Sequence, residues 1–334
     1  METPVKNGTP DAEAPARIVS MDQFRGYAIF GMIMVNYLGN FGVMPETFRH
    51  HDHGMSYADL IAPLFIFVAG MGFRLSFLRR LEKDGAVRTA LAALRRFSVL
   101  ILVGIVLYGP APENWRNWWD ALVDIGFAGI LALPVIARGA GVRAGLAAVW
   151  LALYQALHTL TGYGAWTMTH SIDGGPLGIL PWAAIFLFGT IAHDIASSGD
   201  TRRLLPKIAL WGLALCAAGW LLKFEWPGVK AEWPFTQRGM TAPYPLYAAG
   251  LCFLSYLPFY LLCDVGGWRI PHLSVLGMNP LVIYIVQQAL GDMHGTIIPE
   301  SSGPAAALAG FAGFYLICYA VAWKLHRDRI IIKL

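Results

Sequence analysis

The most regular feature of the sequence is a series of apolar stretches, each about as long as a membrane-spanning helix. The hydrocarbon core of a bilayer is about 30 Å thick and requires about 17–25 mostly apolar residues in a helix. Ten stretches approach this length. We therefore predict an all-α integral membrane protein with about ten transmembrane helices. The predicted segments are 26–42, 57–77, 97–111, 121–137, 145–161, 177–196, 208–222, 243–263, 273–290 and 305–323.

The basic residues predict how these helices are oriented. Cytoplasmic loops of membrane proteins accumulate Lys and Arg. With an inside N-terminus and alternating segments, 20 of the 25 Lys and Arg residues fall on the inner side. A missed or additional helix would remove this asymmetry of basic residues between the two sides. With ten helices and an inside N-terminus, we predict that both termini are cytoplasmic. The outer loops at 38–56, 162–176, 223–242 and 291–304 are long and carry few charges, which makes them the first place to look for function.

Composition agrees with this class and excludes others. Hydrophobic residues make up 56% of the chain and charged residues 14%, whereas a soluble domain has about 25% charged residues. A net charge of +4 without a basic patch argues against nucleic-acid binding. Residues 1–16 have neither the basic nor the apolar region of a signal peptide and are predicted to be a disordered cytoplasmic tail, followed by a single polytopic domain at 17–334. The four cysteines lie in apolar runs without metal-ligand spacing.

Three polar residues mark the first predicted helix. Asp22 and Arg25 are three residues apart and share one helix face at the inner membrane surface, where a cap and an anchor would also explain them. Asn36 lies roughly 16 Å farther along the axis, at 1.5 Å per residue, and so at or beyond the middle of the membrane. A polar side chain at that depth either bonds a neighbouring helix or lines a site.

A polar loop follows this helix. His50, His51, Asp52 and His53 are adjacent, and Asp59 opens the second helix. These residue types suit a zinc or nickel site, but adjacent ligands without a second cluster are a weak metal signal. A solvated polar loop is one alternative, and a histidine general base beside a buried site is another. Asp59 either caps the second helix or orients the histidine.

The motifs of soluble enzymes are absent from the sequence. It contains no Walker loop, no GxSxG elbow, no HExxH pair and no dinucleotide fingerprint. What remains is a polar track from Asp22 and Arg25, through Asn36, to His50. This track suits the lining of a transporter for a sugar or lipid-linked sugar as well as an enzyme. A metal-dependent membrane hydrolase is a third, weaker interpretation.

Several ordered blocks carry a more specific signal. They are RIVSMDQFRG (17–26), MIMVNY (32–37), FRH (48–50), YADLIAP (57–63) and, far downstream, GMNPLVIY (277–284). In this order they resemble the heparan-α-glucosaminide N-acetyltransferase family of membrane acyltransferases and its bacterial relatives. Weaker likenesses at 180–189, 234–251 and 264 extend the resemblance over nearly the whole chain.

The resemblance implies a transmembrane acyltransferase domain at 17–334, in the bacterial cytoplasmic membrane and as a homodimer. It implies that acetyl-CoA from the cytosol serves as co-substrate, that an amino sugar or glycan outside accepts the acetyl group on its amine or hydroxyl, and that no metal is needed. His50 matches the catalytic histidine of the family and Asn36 matches the asparagine near the acyl group.

Departures from the family pattern affect these assignments, and the first is that the stretch from Asn36 to the histidine is longer here. The usual His-x-x-Trp-x-Gly pattern appears here as HHDHG (50–54), one residue short and without its Trp, which leaves the choice between His50 and His51 open. In the fourth helix, Asp124 stands where relatives often carry Arg.

The charges and the resemblance together predict a site on both sides of the membrane. Outside, His50 would act as general base, Asn36 would donate a hydrogen bond to the developing oxyanion, and Asp59 would assist the histidine. Inside, arginines would hold the phosphates of CoA. The predicted donor-binding residues are Asp22, Arg25, Arg74, Arg95, Arg96 and Asn279.

Overall fold

A computed structural model describes residues 18–52, 54–223, 233–291 and 297–332. Within these ranges the chain folds only into helices and loops, which confirms the all-α class. The predicted tail at 1–16 and His53 lie outside the described residues. The α-helices are α1 Val19–Leu38, α2 Ala58–Asp84, α3 Ala86–Leu107, α4 Ala121–Ala132, α5 Ala140–Leu160, α6 Tyr163–His170, α7 Gly175–Ala196, α8 Thr201–Leu222, α9 Pro243–Phe259, α10 Pro271–Met278, α11 Pro280–Gly291 and α12 Pro304–Arg327.

Seven of the described helices are long and apolar enough to cross a membrane, or up to eight if α10 and α11 form one span. A π-helical turn, Tyr260–Val265, extends α9 to span length. α1 has 20 residues, but its polar residues lower its mean hydropathy. α4 has only 12 residues, and Pro134, which has no backbone N–H to continue the helix, follows two residues after its last residue. The count of ten spans and the side of both termini stay predictions.

The ninth predicted segment, 273–290, is not a single straight helix. α10 and α11 meet at an angle of 85°, and the break falls at Asn279, which has φ −127° and ψ 59°. Pro280 follows directly. Proline disfavours helical backbone angles in the preceding residue and cannot donate the hydrogen bond that would continue the helix. The break is therefore a local consequence of the Asn-Pro pair.

Helix α7 forms the centre of the bundle, with α2, α4, α5 and α9 packed around it. Contiguous side chains along α7, from Pro181 to His193, are all buried. α2 crosses α7 at very short range, because a side chain at Gly70 would collide with the backbone of Phe186 and one at Gly189 with the backbone of Phe67. Small residues permit this close approach between membrane helices, where packing drives association.

Helix α1 lies beside this centre and contacts α2 and α10. Its N-terminus is capped from a distance, because the Asp264 carboxylate accepts the backbone N–H groups of Val19 and Ser20. Gly26 and Gly277 bring α1 and α10 into backbone contact. The polar residues of α1 are thus held on a helix that is fixed at its start and along one side.

Candidate functional site

Two cavities open along one face of α1. The cavity at the C-terminal end of α1, which we call the outer cavity after the predicted topology, has a volume of about 570 Å³, and the cavity at the N-terminal end, which we call the inner cavity, about 520 Å³. Lining residues of α1 include Met32, Val35 and Asn36 in the outer cavity and Asp22 and Arg25 in the inner cavity. This spacing of three and four residues places them in a single stripe along the helix. Two predicted parts of the site therefore lie on the same helix face.

Helix α2 lines both cavities with one face as well. Ala58, Ala62 and Phe65 line the outer cavity, and Leu75 and Arg79 line the inner one. The stripe between them continues through the small residues Ala69 and Gly72 in α2, and through Ala28 and Ile29 in α1. We call these four residues the partition. Ala28 and Ile29 are fully buried, and the Arg25 guanidinium lies close enough to Gly72 that a Cβ there would be 3.4 Å from its Nη2 atom.

His50 is positioned by the loop that follows α1. The neighbouring Arg49 guanidinium donates to the carbonyl oxygens of Gly42 at 2.6 Å and Met44 at 3.0 Å, which folds the loop back on itself. His50 Nδ1 lies 2.8 Å from Asp59 Oδ1. The Asp59 side chain is fully buried, whereas that of His50 is 58% exposed and lines the outer cavity. A buried carboxylate thus holds an imidazole that faces open space.

Asp59 also caps α2, so the geometry allows both roles considered for this residue, as the cap of the helix and as the partner of the histidine. Its Oδ2 atom accepts the backbone N–H of Ser56 at 2.8 Å, and the Ser56 hydroxyl accepts the backbone N–H of Asp59 at 3.3 Å. This reciprocal pair is a capping box. Because Oδ2 is used at the helix start, Oδ1 is fixed in place towards His50. The helix terminus therefore sets the geometry of the His–Asp pair.

His51 has a different environment from His50. Its Nε2 atom lies 3.2 Å from the carbonyl oxygen of Glu46, in an exposed part of the loop. Of the two candidates, the geometry pairs only His50 with a carboxylate. In the described ranges, with His53 outside them, no group of three or more His, Cys, Asp and Glu is arranged to hold a metal ion.

Further carboxylates surround His50 and change its electrostatics. Burial lowers the pKa of His50, but the hydrogen bond and charge of Asp59, with the charges of Asp173 and Asp120, outweigh this and raise it above the usual value. Burial also raises the pKa of Asp173 to about 7, against a hydrogen bond from Gln237 Nε2 at 2.6 Å. Burial raises the pKa of Asp120, opposed by bonds from Tyr108 and Ala121.

Asn36 projects into the outer cavity and belongs to a polar network on its wall. Its Nδ2 atom donates to Gln287 Oε1 at 3.2 Å. Gln287, Gln288, Tyr108 and Asp120 all line the same cavity. The structure therefore places Asn36, His50 and Asp59 in the lining of one cavity, and it adds the network of Gln287, Gln288, Tyr108 and Asp120 on the cavity wall.

The inner cavity contains two of the six predicted donor-binding residues. Asp22 and Arg25 line it, with Asp22 Oδ1 3.5 Å from Arg25 Nη1. Arg79 and His193 also line this cavity, and the sequence did not single them out for that role. His193 is buried, and its Nδ1 atom lies 3.4 Å from Asp194 Oδ1. Arginine guanidinium groups in such a cavity can bind phosphate.

Arg74 does not line the inner cavity. It is only 8% exposed, and its guanidinium donates to both carboxylate oxygens of Asp194, at 2.8 and 3.1 Å, and to the carbonyl oxygen of Ile136. Arg143 donates to the same carboxylate. Arg74 therefore ties α2 to α7 instead of facing a ligand.

Arg95, Arg96 and Asn279 are also not brought into the inner cavity. Arg95 and Arg96 are exposed on α3. Asn279 is buried at the break between α10 and α11, where its Nδ2 donates to the carbonyl oxygen of Ile330 and its Oδ1 accepts the N–H of Ile332, both at 2.9 Å. Its amide thus binds the C-terminal segment of the chain. The predicted contacts of these three residues with a donor have no counterpart in the cavity lining.

Comparison with known proteins gives one family and two relatives. A family model for the catalytic region of heparan-alpha-glucosaminide N-acetyltransferase matches residues 17–222, a range that includes α1 to α8. The human heparan-alpha-glucosaminide N-acetyltransferase is 33% identical over 107 residues, which are 30% of this chain and 16% of the relative. The mouse protein of that name is 30% identical over 105 residues, again 30% and 16%. The matched segments thus cover a small part of either relative.

Proposed function

The chain belongs to the heparan-alpha-glucosaminide N-acetyltransferase catalytic family, and on this basis we propose that it is a membrane-embedded acetyltransferase. The donor is acetyl-CoA from the cytoplasmic side, and the acceptor is the amine of a glucosamine-type sugar from the outer side. The observation that carries this proposal is the pair of cavities on one face of α1 and α2, with His50, Asp59 and Asn36 gathered in the outer one. The predicted homodimer and the bacterial membrane stay predictions.

The inner cavity supports the donor side of this proposal. The phosphates of CoA need cations, and Arg25 and Arg79 provide them at the cavity wall. From Arg25 to Asn36 the helix rises roughly 16 Å, a distance that an extended pantetheine arm can cover. The two α2 residues of the partition, Ala69 and Gly72, are small and half-buried, so little side-chain volume separates the two cavities along α2. The thioester then reaches the Asn36 amide.

In the outer cavity, His50 acts as the general base. Asp59 accepts a hydrogen from Nδ1, which leaves the lone pair of the imidazole on Nε2. The acceptor amine nitrogen bonds to the acetyl carbonyl carbon while His50 Nε2 takes a proton from that nitrogen. The carbon–sulfur bond then breaks, and the proton passes to the departing sulfur, which yields an amide and free CoA. The Asn36 N–H stabilises the oxyanion in between.

The test uses the purified protein in liposomes with labelled acetyl-CoA inside and glucosamine outside. Wild type is compared with His50→Ala and Asn36→Ala, and His51→Ala serves as the matched control because its ring bonds only a loop carbonyl in the described contacts. We expect labelled N-acetylglucosamine with wild type and His51→Ala and strongly reduced label with the other two. Equal label from all four proteins would overturn the site, and none from wild type would overturn the function.

A transporter of a sugar or lipid-linked sugar is the second candidate, and one feature of the fold bears on it. Transporters often build binding sites from broken helices that occur in related pairs, and α10 with α11 is either a broken span or a re-entrant loop. In the ranges that the structure describes, this is the one helix pair bent in that way. Uptake of labelled glucosamine by liposomes without acetyl-CoA would favour transport over transfer.

A further inference from the structure

A continuous row of hydrogen bonds joins Asn36 to a carboxylate on the far wall of the outer cavity. Asn36 Nδ2 donates to Gln287 Oε1 at 3.2 Å, and Gln287 Nε2 donates to Gln288 Oε1 at 3.0 Å. Gln288 Nε2 donates to the Tyr108 hydroxyl at 3.4 Å, and that hydroxyl donates to Asp120. We call these five residues the relay. Every donor in the relay points in the same direction, from Asn36 towards Asp120.

The end of the relay is the part that fixes this direction. An amide side chain can be turned over with little change in shape, so its orientation depends on its partners. An ionised carboxylate only accepts hydrogen bonds, so Tyr108 must donate its single hydrogen to Asp120. The Tyr108 oxygen then accepts from Gln288, and also from the hydroxyl of Tyr284 at 3.1 Å. The orientation of Gln288, and then of Gln287, follows from this.

Asp120 itself is held rigidly. It is the N-cap of α4, and its Oδ1 atom accepts the backbone N–H of Ala121. Its Oδ2 atom accepts from Tyr108. Both oxygens accept hydrogen bonds, and these bonds favour the ionised form against the burial that raises the pKa of Asp120. The helix terminus therefore anchors the polarity of the whole row.

We propose that Asp120, Tyr108, Gln288 and Gln287 are positioning residues that hold the Asn36 amide with its N–H group towards the reacting carbonyl. The proposal rests on the proposed function, in which Asn36 is the oxyanion donor. An amide turned over would present its oxygen to a developing negative charge and would repel it. The relay prevents that rotation, since the Asn36 oxygen would then face the oxygen of Gln287.

Tyr108→Phe tests the relay, because it removes the one hydroxyl that connects Gln288 to Asp120. We expect kcat to fall about tenfold, which is less than the roughly 10²–10³-fold loss typical of removing an oxyanion donor outright, while KM for both substrates stays within about twofold. In an Asn36→Ala background the same change should cost nothing further, because the relay acts through Asn36. Tyr260→Phe is the matched control, since its hydroxyl bonds Thr201 away from the outer cavity.

A rescue variant separates positioning from general stability. Asp120→Asn removes the anchor and should lower kcat. Asp120→Glu keeps an acceptor-only carboxylate at the anchor, so it should retain most of the kcat that Asp120→Asn loses. An Asp120→Glu enzyme as slow as Asp120→Asn would overturn the proposal, as would an undiminished Tyr108→Phe enzyme or a further loss in the Asn36→Ala background. If the wild-type protein transfers no acetyl group, both the proposed function and the positioning role of the relay are wrong. If the wild-type protein is active and the relay variants keep its kcat, only the positioning role is wrong.

Discussion

The outer and inner cavities share the walls of α1 and α2 but differ in charge. Carboxylates dominate the outer cavity, with four of them in its lining, namely Asp52, Asp59, Asp120 and Asp173. Arg49 and Arg238 also line it, but Arg49 binds backbone carbonyls and Arg238 pairs with Asp52 at 2.9 Å. The inner cavity has Arg25 and Arg79 beside the single carboxylate Asp22. Two ends of one helix face thus favour opposite kinds of ligand.

This difference teaches that the position of a polar residue along α1 decides its role more than its chemical type does. Asn36 and Arg25 lie on the same stripe of α1. Asn36 lies beside the polar network of the outer cavity, whereas Arg25 lines the basic inner cavity. Under the proposed function, the anionic donor is attracted to the inner end and a cationic amine to the outer end. The following variants ask whether the two ends really act separately.

The largest effect is expected at the outer end. His50→Ala should lower kcat by about 10²–10⁴-fold, the usual contribution of a positioned general base, without changing KM for acetyl-CoA. Steady-state kinetics in liposomes with separate titration of the two substrates will measure this. A His50→Ala enzyme that lost affinity for acetyl-CoA instead would mean that the two cavities are not independent.

At the inner end, Arg79→Ala should raise KM for acetyl-CoA about tenfold, the equivalent of one charge-assisted hydrogen bond of about 1.5–3 kcal/mol in part screened by solvent. The KM for the sugar should stay the same. Arg95→Ala is the matched control, because Arg95 is exposed on α3 outside both cavity linings. Equal increases from the two variants would mean that general surface charge, and not the inner cavity, binds the donor.

The pH dependence probes the outer carboxylates. A general base works unprotonated, and the pKa of His50 is raised above its usual 6.5 by Asp59 and more distant carboxylates against the effect of burial. We expect kcat/KM to fall as the pH drops through that raised pKa. Asp59→Asn removes a negative charge and should move the fall to lower pH, with a reduced plateau. A fall that did not move, in a folded variant, would contradict the assignment of His50 as the titrating base.

The smallest effect on catalysis is expected from Asn279→Ala. Its two hydrogen bonds hold the C-terminal segment, so the variant should lose about 1–2 kcal/mol of stability. Acetyl-CoA KM should remain within about twofold. Thermal unfolding in detergent and the same kinetic assay will separate the two effects. A marked rise in the KM for acetyl-CoA would mean that Asn279 contributes to donor binding.

The sequence predicts local features of this molecule well. The apolar stretches predict the helices, and helical spacing predicts that Asp22 and Arg25 share a face, as the inner cavity lining confirms. Asp59 follows His50 by nine residues, and its contact with the histidine depends on a single loop and a helix cap. The Asn-Pro pair at 279 and 280 is also a local signal, and it explains why the ninth segment breaks.

Partners that are far apart in the chain could not be predicted in this way. Arg74 pairs with Asp194, 120 residues later, and Asn279 binds Ile330, 51 residues later. An isolated arginine near the end of a predicted membrane helix can equally bind a ligand, a lipid headgroup or a buried carboxylate. For Arg74 the packing of α2 on α7 determines that its partner is the Asp194 carboxylate. Asp120 carries no functional signal in the sequence alone, where it is simply an acidic residue before a helix.

The partition has a consequence for the electrical properties of the membrane. Under the predicted topology the two cavities open to opposite sides of the membrane. From Arg25 to Met32 the helix rises only roughly 10 Å, so with water in both cavities most of the membrane potential would fall across Ala28, Ile29, Ala69 and Gly72. Moving one elementary charge across 100 mV costs about 2.3 kcal/mol. Under the proposed function the charged phosphates stay on one side and the acetyl group that crosses is neutral. Transfer should therefore proceed at the same rate whether the membrane is energised or not.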